Sequence, residues 1–394
     1  ATIGNPVEHA ATVTGRPESS FAAITTDESA TGPTHWLVWN PPAYDGGGTS
    51  GWGSGRRKSS HTETKRLFVD LVSRGLQTVV FTRSRQTAER YATESADELR
   101  RRGDREAADG VTAYQAALTS ERRRSVEDRL PSGDIRGVWS TNALELGVDI
   151  GGLDAVLLDG YPGTRMSTFQ RAGRAGRGDD PALVGLVAGE DQLDQYLMAN
   201  PEDLFDGDPE RATVDPENDH LLPAHVAAAA TENWLSRDDE AHFGEKFADV
   251  VSELEADGVL ARRETAEGIR WTHAGDRSPQ HETSLRTVDD REVDLLADGD
   301  VIATLGFGDA LRDAHPGAVY HHQGQSYEVT DLDLDRDVAT LQPTWADYYT
   351  RVLTEKSITV DRDRAPTPLP ARPEVEVRLA DATVPEQVPG LDPR

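Results

Sequence analysis

The 394-residue chain, 36% apolar, is long enough for two to four domains of ~100–200 residues each, and no apolar run nears the ~18–20 residues of a bilayer-spanning helix. The absence of cysteine excludes disulfides, Cys-ligated zinc and thiol catalysis, so zinc is not expected. The net charge of −29 has the wrong sign for a nucleic-acid binder, but only four of the 41 basic residues are Lys, and an acidic surface that keeps Arg suits a haloarchaeal cytoplasmic protein, where molar salt screens charges within ~3 Å.

The start, Ala1-Thr2-Ile3-Gly4, has no initiator Met and no signal-peptide pattern, and it reads as a chain cut mid-sequence. Residues 1–38 are turn-rich, with one strand at Trp36-Leu37-Val38-Trp39 that Asn40-Pro41-Pro42 ends. Residues 43–59 are rich in Gly and Ser and read as a mobile loop. From 61 to 199 short apolar runs alternate with amphipathic ones. Strands are predicted at 78–81, 110–114, 135–139, 154–158 and 182–187, and helices near 62–74, 84–102, 119–130, 166–175 and 190–199. That alternation predicts an α/β domain with a parallel sheet covered on both faces, whose functional residues lie at the carboxyl ends of the strands.

Residues 206–220 are acidic, aperiodic and read as a connector. Over 221–285, two helices (Leu221–Trp234, Phe243–Asp257) precede two short strands, the pattern of a winged helix. Residues 286–394 alternate as strands do, as in Ser326-Tyr327-Glu328-Val329-Thr330, and suggest a small β-barrel-like region. Within it, 361–373 is Pro-rich and linker-like, followed by a strand at Glu374–Leu379. His321-His322 and the other His residues show no metal-ligand spacing.

Three segments carry chemistry. Gln170-Arg171-Ala172-Gly173-Arg174-Ala175-Gly176-Arg177 is the most specific. On a helix, Arg174 and Arg177 share a face, and two guanidinium forks can meet one anion. Such arginines stabilise the charge of a transferring phosphoryl group. Ser140–Ile150 begins where a strand ends. Its small and hydroxyl residues, including Thr141, Asn142 and Gly147, allow close approach of a backbone to phosphate, and Asp149 can accept from a ribose or from the arginines. Thr82-Arg83-Ser84 follows another strand, where a helix N-terminus suits phosphate. Ser84 equally suits a plain helix N-cap, and both roles can coexist.

Phe81–Ser84, Thr141–Asp149 and Gln170–Arg177 resemble motifs IV, V and VI of superfamily 2 helicases. Thr141–Gly147, Gly151-Gly152-Leu153-Asp154, Tyr161-Pro162-Gly163, Asn40-Pro41-Pro42, His220-Leu221-Leu222 and Pro316–Gly324 resemble the MrfA/YprA-type DEAD/DEAH-box DNA helicases. The resemblance implies two RecA-like domains with ATP and Mg²⁺ between them, DNA crossing both, then a winged helix, a β-barrel and a zinc module. Family members are similar to 3′-to-5′ DNA translocases linked to repair. By resemblance, residues 1–38 are the tail of the first RecA-like domain, and 39–205 form the second. Gln170 senses nucleotide, Arg174 and Arg177 act as fingers, and Gly147 and Asp149 join the nucleotide site. Thr82, Arg83, Ser84, Thr141 and Asn142 meet single-stranded or duplex DNA.

The departures are equally specific. Gly51–Ser59 lacks the Gly-Lys-Ser/Thr order of a P-loop. Asp27-Glu28-Ser29-Ala30 imitates a DEAD box without ending an apolar strand. The expectation is a motor half that needs another RecA-like domain, in cis or in trans, to hydrolyse ATP. The competing readings are a non-catalytic DNA-binding subunit of a split helicase and an RNA helicase.

Overall fold

The computed structural model describes residues 2–26, 32–43, 57–146, 152–176, 179–275, 278–283, 291–346, 348, 350–369 and 372–393. The chain forms two compact units, residues 1–290 and 291–394.

The first unit is built on a six-stranded sheet of β1 (Thr34–Trp39), β2 (Thr78–Phe81), β3 (Val111–Tyr114), β4 (Gly137–Ser140), β5 (Ala155–Asp159) and β6 (Ala182–Val187). Its order is β1-β6-β5-β2-β4-β3, and every pairing is parallel. Thr-Val-Val-Phe of β2 and Ala-Val-Leu-Leu-Asp of β5 are buried throughout, as strands covered on both faces must be. Alternate residues supply two cores. Val79, Phe81, Val138, Val156 and Leu158 face one side; Val80, Trp139 and Leu157 face the other.

The helices are α1 (Pro6–Thr14), α2 (Ser60–Ser73), α3 (Arg85–Arg101), α4 (Arg105–Asp109), α5 (Ser120–Arg129), α6 (Arg165–Ala172), α7 (Gln192–Ala199) and α8 (Glu202–Phe205). Ala88, Tyr91, Ala92, Ser95, Ala96 and Leu99 recur at helical spacing on the buried face of α3. Phe68 and Val72 of α2 join them over Trp139. Tyr91 stacks on the Trp139 ring at 5.3 Å, and Phe68 meets it edge-on at 5.6 Å. Val126 of α5 and Leu197 of α7 pack into the opposite core.

The strand expected to close a first-domain tail instead edges this sheet. β1 pairs with β6 from Thr34↔Ala182 to Trp39↔Val187, so a boundary between Val38 and Trp39 would divide one strand.

Then come α9 (Leu222–Glu232), α10 (Glu240–Phe243), α11 (Phe247–Ala256) and the hairpin of β7 (Leu260–Thr265) and β8 (Gly268–His273). Leu222, Val226, Phe247, Val251, Leu260 and Trp271 form their core. Trp271 also donates its indole N–H to Glu255 at 2.8 Å. This is the helix, helix, hairpin order of a winged helix.

The second unit holds a curled five-stranded half-barrel of β9 (Glu292–Ala297), β10 (Asp300–Gly306), β11 (Val319–His322), β12 (Gln325–Asp333) and β13 (Val338–Thr344), in the order β10-β9-β13-β12-β11. Two ribbons follow: β14 (Thr350–Lys356) with β17 (Glu386–Pro393), and β15 (Thr359–Leu369) with β16 (Arg372–Thr383). The linker expected at 361–373 is therefore mostly strand. Both strands of a two-stranded ribbon are edges, so a proline whose missing N–H would point outward does not weaken the ladder. Among the described residues no helix is long and apolar enough to cross a membrane.

Candidate nucleotide and nucleic-acid site

Strand register brings two of the three motif segments to one level. Phe81 pairs with both Ser140 and Leu158, so Thr82, Thr141 and Asp159 follow side by side at the carboxyl edge. The Thr82 amide continues the ladder by donating to the Ser140 carbonyl at 2.8 Å.

Thr82 is 2% exposed, and its hydroxyl donates to Asp159 Oδ2 at 3.1 Å. The hydroxyl expected to meet a DNA backbone is here engaged by Asp159, and Thr82 lines a cleft with His61, Arg83 and Ser84. His61, at the start of α2, binds the same Oδ2 through Nδ1. Burial lowers the pKa of His61, but the hydrogen bond and the charge of Asp159 outweigh it and raise the value above 6.5.

Arg83 crosses to the loops after β5 and β6. It donates to the Tyr161 carbonyl at 2.7 Å and lies 3.4–3.5 Å from the carboxylates of Asp191 and Asp194. Burial pushes the Asp194 carboxyl up, despite the amide bond it accepts from Gly189. Burial also opposes ionisation of Asp191, but the Asp194 amide and the Arg83 guanidinium hold it below the usual range. Arg83 remains mostly exposed. Ser84 caps α3, accepting from Thr87 N at 3.4 Å.

Thr141 is nearly buried and Asn142 exposed, at the start of a 3-10 turn, Asn142–Leu144. Asn142 lines a cleft of about 860 Å³ with Ser120, Arg123, Arg124 and Glu127 of α5. Tyr114 closes it, donating to Glu127 at 2.6 Å. Burial and that carboxylate push the Tyr114 hydroxyl well above its ordinary pKa.

The arginine run departs from expectation in one respect. Helix α6 ends at Ala172 with Gly173 as its C-cap, so Arg174 is not helical. Ala175 instead bridges Leu153 in parallel: Leu153 N donates to Arg174 O at 3.1 Å, and Gly176 N to Leu153 O at 2.8 Å. Gly176 has φ +113°, a conformation that side chains resist. The glycines that make this a poor surface helix also end it. Arg174 reaches the Glu145 carbonyl with Nη2 at 2.7 Å and Nε at 3.3 Å. The Glu145 carboxylate accepts from Arg171 Nε and Ser167 Oγ, both at 2.8 Å. Gln170 sits half-buried on α6. Arg177, Gly147 and Asp149 lie outside the described residues.

Sequence reasoning singled out the anchored groups but not the anchors: Glu145, Asp159, His61, Asp191 and Asp194. Asp159 alone left a trace, as a carboxylate ending an apolar strand.

Residues 63–179 match the helicase conserved C-terminal domain. That segment is similar to the second motor domain of helicases. Residues 214–288 match the winged-helix domain of the ATP-dependent helicase HRQ1. YprA of Bacillus subtilis, described as an uncharacterized ATP-dependent helicase, is 33% identical over 356 residues, which cover 89% of this chain and 45% of YprA. The ATP-dependent helicase hrq1 of Schizosaccharomyces pombe is 29% identical over 347 residues, covering 86% of this chain and 31% of hrq1. The crystal structure of the DUF1998 helicase MrfA bound to DNA and AMPPNP superposes with a TM-score of 0.75 at 30% identity, over 99% of this chain and 53% of that one. The chain thus spans less than half the length of the two sequence relatives. Both domain matches and these relatives support a superfamily 2 helicase of the MrfA/YprA type.

Proposed function

We propose that this chain is the second-motor half, with accessory DNA-binding domains, of an ATP-dependent DNA helicase or translocase that serves DNA repair. Arg174 carries the proposal. Its bond to the Glu145 carbonyl ties the arginine run to the segment after β4, so two motif-bearing segments are joined directly. The relative MrfA, whose structure holds both DNA and AMPPNP, supports DNA and ATP as the ligands.

The donor set fits half of an ATP site. Arg174 and Arg177 offer planar forks for the charge on the equatorial oxygens of a transferring phosphoryl group, a device worth ~10³–10⁵ in rate where it has been measured. Gln170 would sense the nucleotide, with Gly147 and Asp149 beside it. On this reading the phosphate cradle and Mg²⁺ belong mainly to another RecA-like domain, in cis or in trans. ATP supplies the phosphoryl group and the free energy of its transfer. Arg83, Ser84, Thr141 and Asn142 would face the DNA backbone, and the winged helix and half-barrel would guide the duplex.

The test is DNA-stimulated ATP hydrolysis at high salt, since low salt destabilises a chain of charge −29 by self-repulsion. This chain alone should show no appreciable turnover. The natural-length protein should turn over and lose at least about 10²-fold on Arg174→Ala. Robust hydrolysis by the isolated chain, abolished by Arg174→Ala, overturns the half-site assignment. Unchanged hydrolysis in the natural-length Arg174→Ala variant overturns the finger role of Arg174. Competition between single-stranded DNA and RNA decides the nucleic acid.

A further inference from the structure

We propose that Glu210, in the acidic connector ahead of the winged helix, is a positioning residue for the arginine run; this rests on the nucleotide role proposed for Arg174. Helix α6 spans only eight residues, about 12 Å, and is fixed at both ends. At its C-terminal end Arg171 and Arg174 are tied to Glu145. At its N-terminal end three amides lack helical partners. Thr164 accepts from Ser167 N at 3.1 Å. The other two amides, Arg165 N and Met166 N, donate to Glu210 Oε1 at 2.7 Å and Oε2 at 2.8 Å. One carboxylate from 45 residues away thus completes the cap, with its charge at the positive end of the helix. Burial opposes its ionisation, but the Met166 and Arg165 amides outweigh burial and hold the Glu210 carboxyl below its usual range.

Glu210 is itself held from behind. Its carbonyl accepts from Gly4 N at 3.0 Å. Asn5 pairs both ways with Ala212, accepting from Ala212 N at 2.8 Å and donating to Ala212 O at 3.1 Å. Arg211 forms an ion pair with Glu8. The Arg165 guanidinium passes over Gly207, where an added Cβ would lie 1.7 Å from Nη1, and binds the carbonyls of Asp203 and Asp208. The connector then runs directly into the winged helix, where Lys246 holds Asp219 at 2.5 Å and the Glu217 carbonyl at 2.9 Å. The residues before α1 therefore meet the connector at Glu210 and its neighbours, the same connector continues into the winged helix, and Glu210 reaches the arginines through one rigid helix. A shift of the connector moves Arg174 relative to any phosphate it serves.

The experiment compares Glu210→Gln, Arg174→Ala and Asp104→Ala in the natural-length protein. Glu210→Gln keeps the shape but loses the charge and one amide acceptor. It should lower kcat for DNA-stimulated ATP hydrolysis about tenfold while leaving KM for ATP within about twofold. Asp104 caps the remote helix α4 by accepting from Ala107 N at 3.1 Å. Its loss should lower the melting temperature comparably and leave kcat unchanged. In this chain alone, Glu210→Gln should speed amide exchange over residues 165–176 and not over α3. The inference fails if Glu210→Gln and Asp104→Ala have the same effect on kcat, or if exchange rises uniformly. If Arg174→Ala leaves kcat unchanged, the nucleotide role fails first, and the exchange result alone then judges the link between connector and helix.

Discussion

Glu145→Ala removes the carboxylate that joins the segment after β4 to α6. The side chains of Arg171 and Glu145 are only 11% and 13% exposed, so their pairing is little screened by solvent. A hydrogen bond to a charged group contributes about 1.5–3 kcal/mol, and removing one partner of a buried pair costs about 3–5 kcal/mol because the other charge stays buried. The Arg171 guanidinium also lies 5.3 Å from the Phe81 ring centroid, and that cation–π contact retains about 0.5–1 kcal/mol. The expected net loss is about 2–4 kcal/mol, a fall in melting temperature of about 5–15 °C at the ~2–4 °C per kcal/mol typical of larger domains. Urea unfolding at high salt measures it. The double variant Glu145→Ala/Arg171→Ala should show a coupling of about 1.5 kcal/mol or more. Additive losses, or a Glu145→Ala cost below about 0.5 kcal/mol, would refute the claim that this pair holds the helix to the sheet. The variant leaves the Glu145 carbonyl, and so the acceptor of Arg174, in place.

Two further outcomes follow from the same geometry. A Cβ at Gly137 would lie 2.3 Å from Phe68 Cζ and 3.2 Å from Val72 Cγ2, so Gly137→Ala should lose about 1–3 kcal/mol by overpacking, with partial rescue by Phe68→Leu; equal stability with and without the Phe68 change argues against the clash. His61 has its pKa raised above 6.5 because Asp159 outweighs burial. The charged ring therefore stabilises the fold fully below the unfolded pKa, and that contribution is lost as pH rises through the folded value. Unfolding free energy should fall as pH rises above about 6.5, and Asp159→Asn should flatten the profile. A slope that survives His61→Gln assigns it to another group.

The sheet was legible because its strands are covered on both faces. Val79-Val80-Phe81 and Ala155–Leu158 are continuous apolar runs with a polar stop, and a buried parallel strand has no other composition available to it. Its β1 edge was legible only in part. Trp36–Trp39 reads as a strand from either side, but its partner, Ala182–Val187, lies across the rest of the domain, and no local signal names it. The ribbon at Thr359–Thr383 was misread for the opposite reason. Its prolines dominate the local pattern, while the pairing that accommodates them, such as Pro366↔Arg378, is a property of two strands together.

The arginine run shows where spacing misleads. Three-residue steps between arginines suit a helix, yet Gly173 and the φ of +113° at Gly176 turn the same spacing into a helix end and a bridge to Leu153. The carboxylate that then fixes Arg171 and the main-chain carbonyl that fixes Arg174 come from one residue of a strand-end loop, Glu145, and the cap that fixes the other end of α6 comes from a connector with no periodicity at all. Glu145 and Glu210 look like ordinary members of a highly acidic composition. What separates them from the other carboxylates is not their type or neighbours in sequence but the donors they meet: an Arg171 with 11% of its side chain exposed, and two helix amides without helical partners. In a chain of net charge −29, most acidic side chains face solvent and contribute little individually. The few that stabilise the motor edge are those that meet a buried or orphaned donor, so the acidity that first argued against nucleic-acid chemistry also supplies the anchors that hold its arginines in place.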